Sequence, residues 1–297
     1  MKNIKFYLAI LISLISFKLQ AQQSTNKLDV FQDSLIKISN IIYKTQSDES
    51  KLTENGKFVK TLVEALKEPN SFNYSFDSLK TVSVIKSPDQ VFRTLSWYVQ
   101  LENGTYRYYG AIQMNNKGGL KLFPLIDQTD NIGDSNIITN NQKWFGARYY
   151  EIIPVVSSGK LPYYVLLGWK GNTAETTKKV IEILSFNKDK ANFGMPVFDG
   201  KDFKGKNRVI FEYNKQNAMV LKTDKNAGLI VFDHLAPFDP EMVGRFQFYG
   251  SDGGTDAFKV IGGKLKFQEN VILKNEANQS DALYADPSKN VKPIRKF

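Results

Sequence analysis

The densest set of reactive side chains in the sequence is Phe232-Asp233-His234-Leu235-Ala236-Pro237-Phe238-Asp239-Pro240-Glu241, where three carboxylates accompany the chain's single histidine. Imidazole titrates near neutrality, so Asp233 beside His234 could tune a general base, with Asp239 as a second acid. Neighbours on a strand point to opposite faces, however, so contact between Asp233 and His234 requires a turn to begin at Asp233. The competing reading is that Asp233 and Asp239 accept hydrogen bonds from turn amides. Neither a G-x-S-x-G elbow nor an H-E-x-x-H helix occurs, so the common hydrolase and metalloprotease patterns lend no support.

A second candidate is the glycine-rich run Tyr249 to Phe258, with Asp252 and Asp256 four residues apart. Carboxylates on a flexible loop suit Ca²⁺, but the run lacks the D-x-[DN]-x-[DN]-G spacing and a terminal bidentate Glu, and a tight turn cluster accounts for it as well. Asp127, Asp130 and Asp134 form a similar polar loop, from which a glycosidase could draw a carboxylate pair. The third candidate is aromatic. Adjacent Trp and Tyr residues on strands must place one ring on each face, so Trp97, Tyr108, Tyr149, Tyr163 and Trp169 could present a platform for sugars or a partner protein. The alternative is that a second sheet or helices cover both faces.

Composition narrows the field. With no Cys, disulfide scaffolds, zinc ribbons and thiol catalysis are excluded, and with His234 alone a two-His metal site cannot form. Residues 1–21 combine Lys2 and Lys5, an apolar run from Phe6 to Phe17 and the small Ala21, which reads as a secretory signal peptide; a spanning helix would need roughly 20 apolar residues. No later segment is long or apolar enough to span, so no transmembrane segment is expected in the exported chain. Loss of that leader lowers the formal charge from +10 to +7, a diffuse basicity without the dense basic stripe of a nucleic-acid site. A solvated cationic surface accounts for that charge, and contact with anionic envelope polymers or acidic partner proteins is the alternative.

The elements follow from periodicity. Leu28, Phe31, Leu35, Ile38 and Ile42 form one helical stripe, and Phe58, Leu62, Val63 and Leu66 a second that ends before Pro69. From Ser71 onward short β-branched and aromatic runs predict strands over 92–100, 106–114, 149–156, 163–169, 179–186, 208–213, 219–223, 229–232, 246–249, 258–261 and 264–267. Asn103-Gly104 should supply positive φ to a tight turn. Val165-Leu166-Leu167 and Leu229-Ile230-Val231-Phe232 read as strands buried on both faces. The expected fold is all-β with an N-terminal helical segment at 22–70 and an antiparallel β domain at 71–297, either a large sandwich or a propeller-like meander.

Phe92-Arg93-Thr94-Leu95-Ser96-Trp97, Tyr163 through Asn172, Leu229 through Leu235 and Tyr249-Gly250-Ser251-Asp252, with the Gln-Ala-Gln-Gln region at 20–23, resemble a family of secreted proteins of the Bacteroidota. That resemblance covers most of the chain after residue 80 and implies an exported, all-β, envelope-associated protein. Without an evident C-terminal sorting domain, periplasmic retention is expected. Together these features suggest a non-enzymatic interaction protein, an accessory or plug of an outer-membrane protein or secretion channel. The alternative is a carbohydrate-binding module or a glycan-acting hydrolase.

Overall fold

The computed structural model describes residues 26–159 and 161–273. The signal-peptide expectation at 1–21 lies outside the described residues. Two helices come first, α1 (Lys27–Lys44) and α2 (Asp48–Lys67). Asn26 caps α1 by accepting from the Leu28 amide, and Ser47 caps α2 by accepting from the Ser50 amide, with Asp48 and Glu49 favourably placed at the positive end of the second dipole. That cap starts α2 well before its apolar stripe, so the two helices are separated by only three residues.

Among the described residues fifteen strands follow in three sheets. Sheet I is the meander β1 (Ser83–Lys86), β2 (Phe92–Gln100), β3 (Tyr106–Met114), β4 (Leu122–Ile126). Sheet II contains β5 (Thr139–Asn140), β6 (Arg148–Val155), β7 (Tyr163–Gly171), β8 (Thr176–Asn187), β9 (Lys190–Phe193) and β11 (Val209–Asn214) in the order β5-β9-β8-β7-β6, with β11 also paired to β8. Sheet III adds β10 (Phe198–Asp199), β12 (Leu221–Asp224), β13 (Leu229–Pro237), β14 (Tyr249–Ile261) and β15 (Lys264–Gln268), ordered β10-β15-β14-β13-β12. All pairings between these strands are antiparallel except β10 with β15. The β2 and β3 boundaries are those expected from sequence. Their connection has positive φ at Gly104 alone (81°), with Asn103 Oδ1 accepting from the Thr105 amide, rather than at both residues.

The sheets stack as sandwich layers, with no closed barrel among the described residues. Side-chain alternation builds the stack directly. In β2, Leu95, Trp97 and Val99 pack beneath Leu35, Phe58 and Leu62 of the helices, while Phe92 turns the other way toward sheet II. In β7, Tyr164 and Leu166 face sheet I and Tyr163, Val165 and Leu167 face sheet III. Sheet II is therefore covered on both sides, as its continuous apolar runs foretell. In β13, Ile230 and Phe232 face inward, whereas Leu229 and Val231 are covered by Val271 of the segment after β15. The helices are thus an integral layer on sheet I and not a free arm.

Of the two readings of the aromatic pairs, the stacking realises the covered one. Trp97, Tyr108, Tyr149 and Tyr163, candidates for an exposed platform, are buried because each of their faces carries another layer. Their polar ends are satisfied internally: Trp97 Nε1 donates to Asn55 Oδ1 of α2 at 2.9 Å, Tyr149 Oη accepts from Trp144 Nε1 at 2.9 Å, and the Tyr108 and Tyr163 hydroxyls donate to the carbonyls of Gly171 and Gly263. Trp169 is half-buried between Tyr98 and Tyr106, with ring centroids 5.1 and 5.4 Å away.

Candidate functional site

The glycine-rich run expected to be a loop is instead the interior of β14, and the difference creates the site. Asp233 pairs with Thr255 and Leu235 with Ser251, so His234 alone faces three residues, Asp252, Gly253 and Gly254. Such a bulge needs a residue free to adopt positive φ, supplied by Gly253 at 89°. A Cβ on Gly254 would fall 3.1 Å from Asp252 Oδ1 and 3.3 Å from His234 Cβ, so the glycine also keeps the approach clear. The result is a contact between two separately nominated residues: His234 Nδ1 lies 2.6 Å from Asp252 Oδ2.

The electrostatics reinforce the pair. The hydrogen bond to Asp252 is the main cause of a raised His234 pKa, and the charges of Asp252, Asp256 and Glu269 act in the same direction against partial burial. The Gly254 amide and the same imidazole lower the Asp252 pKa. Each partner thus shifts the other toward its charged form. The Asp233 carboxylate is turned to a different partner from His234; its Oδ2 accepts from the amide of Val220, just before β12, at 2.9 Å. Asp239 accepts from the Glu241 amide at 2.9 Å at the start of a short 3₁₀ turn. The general base built from Asp233 and His234, with Asp239 as second acid, is therefore not assembled, because β13 continues through both positions.

A groove of about 650 Å³ opens beside this bulge. Half-buried Phe203, Phe211 and Phe267 line it above buried Phe232, and Asp233, His234, buried Asp256 and exposed Glu269 converge on it with Lys201 and Lys206 at the rim. Phe203 and Phe267 are 5.0 Å apart by ring centroid and Phe211 and Phe232 4.7 Å, so the floor is a packed aromatic surface. The Phe203, Phe211, Phe267 and Glu269 contributions were not visible in sequence as a site, since they come from the β10–β11 loop, from β11 and from β15 and its end. The calcium pair is altered likewise: Asp252 is engaged by His234, and Asp256 accepts from the Asn270 amide at 3.0 Å. Among the described residues no group of three or more His, Asp and Glu side chains is placed to hold a metal.

The other acids are structural. Asp127 accepts from the Tyr108 and Thr129 amides, Asp130 pairs with Arg107, and Asp134 accepts from the Asn136 amide. Three buried cations also escaped sequence reading. Lys170 donates to Thr129 Oγ1 at 2.8 Å and to the carbonyls of Phe145 and Gly146 at 2.6 and 3.0 Å, beneath the rings of Tyr108 and Phe145. Burial pushes its pKa down to about 7. Arg93 donates to the carbonyls of Tyr74 and Ser71 and to Gln113. Arg208 pairs with Glu182 at 2.8 Å and donates to the Ser135, Ile137 and Phe193 carbonyls. Each gathers the carbonyls of a connection, which buried backbone requires.

No protein-family model, curated protein or solved structure matches the chain.

Proposed function

We propose that the protein is an exported, non-enzymatic binding protein of the periplasm whose groove beside the β14 bulge takes a glycan. The carrying observation is convergence: Asp233, His234, Asp256 and Glu269 meet over three half-buried phenylalanine rings in one cavity of about 650 Å³. Aromatic faces accept the apolar faces of sugar rings, and clustered carboxylates with an imidazolium accept and donate to hydroxyls. The volume lies within the range of small-ligand sites. Binding is favoured over hydrolysis because the acid–base groups at the groove are already committed, His234 to Asp252 at 2.6 Å, and Asp233 and Asp256 to the Val220 and Asn270 amides. The leader-like residues 1–21 and the resemblance to secreted Bacteroidota proteins support export.

Calorimetry with peptidoglycan fragments and neutral β-linked oligosaccharides tests this. Binding that Phe203→Ala or Phe211→Ala weakens about three- to tenfold, without product formation, supports it. Absence of binding to every class overturns it, and release of shorter sugars replaces it with the hydrolase reading.

A second reading, an accessory or plug on an outer-membrane protein or secretion channel, is favoured by the β13–β14 connection, which exposes Phe238, Val243 and Phe246. In-cell crosslinking from that connection should recover one recurrent outer-membrane protein if this reading holds.

A further inference from the structure

At one end of the stack two turns touch. The β6–β7 turn exposes Val156 and Leu161 at 77% and 82%, and the end of β14, beside the β14–β15 turn, exposes Val260 and Ile261 at 38% and 44%. Contact between the turns is built in, since Tyr163 Oη donates to the Gly263 carbonyl at 3.1 Å and a Cβ on Gly263 would fall 2.9 Å from Ser157 Cβ. Gly262 and Gly263 take φ of 59° and 74°, so the second turn is a tight one whose tip carries no side chain and leaves the neighbouring aliphatics prominent.

Charge says what these aliphatics face. From Val155 to Tyr164 and from Ala257 to Gln268 the sequence carries lysines and no carboxylate. Lys259 stands directly opposite Lys266, and Ile261 opposite Lys264, all on the outer face of sheet III and all exposed. Like charges opposed across a strand pair are unfavourable. Asp199 is in register with Lys266, yet among the described residues none of these three lysines makes an ion pair. Aliphatic tips bordered by unneutralised lysines match a bilayer surface, where headgroup phosphates take the ammonium groups and the acyl boundary takes the aliphatics.

We infer that this end of the protein docks peripherally on an anionic lipid surface through Val156, Leu161 and Ile261 together with Lys259, Lys264 and Lys266. Vesicle flotation of the purified protein tests it, using phosphatidylglycerol with phosphatidylethanolamine against phosphatidylcholine alone. Binding to the anionic vesicles should exceed binding to the neutral ones at least tenfold and fall with added salt. Val156→Ser with Leu161→Ser should reduce it about tenfold or more, and Lys259→Gln and Lys266→Gln about fivefold each. A Leu161→Trp variant should show blue-shifted emission on anionic vesicles. Equal binding to both vesicle types, no binding, or variants that float like the parent overturn the inference. A dimer in gel filtration that Leu161→Ser dissolves overturns it too, in favour of a second copy. Glycan affinity is measured on the same variants; the groove lies elsewhere on sheet III, so either proposal can fail alone.

Discussion

Replacing Arg208 by Met isolates the energetic role of one buried cation. Arg208 and Glu182 are 2% and 0% exposed, and apart from the guanidinium the Glu182 carboxylate accepts, among the described residues, only the Ile183 amide, at 3.1 Å. Arg208→Met leaves that charge buried and unpaired and takes donors from the Ser135 and Ile137 carbonyls. Breaking a buried pair in this way costs about 3–5 kcal/mol, equivalent to a fall in Tm of about 6–20 °C for a chain of this size. The cost must depend on pH. Burial already raises the Glu182 pKa against the opposing pull of Arg208, so without the arginine the folded carboxyl takes up a proton at a pH where the unfolded one has lost it. The penalty should therefore grow with pH above the unfolded value, by up to about 1.4 kcal/mol per unit. Urea unfolding at about pH 5 and about pH 8 measures it, with Glu182→Leu/Arg208→Met as the companion variant, which removes the stranded charge and should regain most of the loss. A single-variant cost below about 1 kcal/mol, identical at both pH values and not relieved in the double variant, would refute the reasoning.

The remaining predictions concern the bulge, the lysine cage and one glycine. Because His234 is the only histidine, its ring resonance reports the candidate site directly: the NMR titration should give a pKa above 6.5, and Asp252→Asn should return it toward that value. The raised folded pKa also means that the pair's stabilisation is present at acid pH and lost as pH rises through it, so parent and Asp252→Asn should converge in stability on the alkaline side. Lys170 has the opposite sense. Its folded pKa of about 7 lies below the unfolded value of about 10.4, so the unfolded chain binds the extra proton between them, and stability relative to Lys170→Met should rise with pH across that window and be flat below it. In Gly171→Ala the new Cβ would run into the Tyr106 ring, so the Tyr98–Tyr106–Trp169 cluster must shift, at a cost of about 1–3 kcal/mol in chemical denaturation.

The layers were legible in the sequence because each is a local period. The stripe from Leu28 to Ile42, the run Phe92 to Gln100 and the doubly buried Val165-Leu166-Leu167 needed only 3.6- and 2-residue repeats to be placed correctly. The strand expected at 246–249 is mostly a 3₁₀ turn over Phe246–Phe248. The run after it looked like a loop because glycine is a poor strand residue taken alone. What makes Ser251 to Thr255 part of a strand is its pairing with Asp233 and Leu235, a relation sixteen or more residues away along the chain. The three cations failed for the same reason in reverse: Lys170 stands out at the end of an apolar strand, but the carbonyls that hold it belong to residues 145 and 146.

The same non-locality bears on where a binding site can lie. Stacking commits both faces of sheet II and, through the helices, the second face of sheet I, so the aromatic pairs that looked most like a recognition surface are spent on packing. The outermost sheet and the ends of the stack keep ladder irregularities and turns beyond the reach of the next layer. A bulge held by a positive-φ glycine can carry a charged pair there without breaking a core, and tight glycine turns can expose aliphatics there without leaving a cavity. Both candidate surfaces of this protein, the groove beside His234 and the turns at Val156 and Ile261, lie where the stack places the fewest demands on the chain.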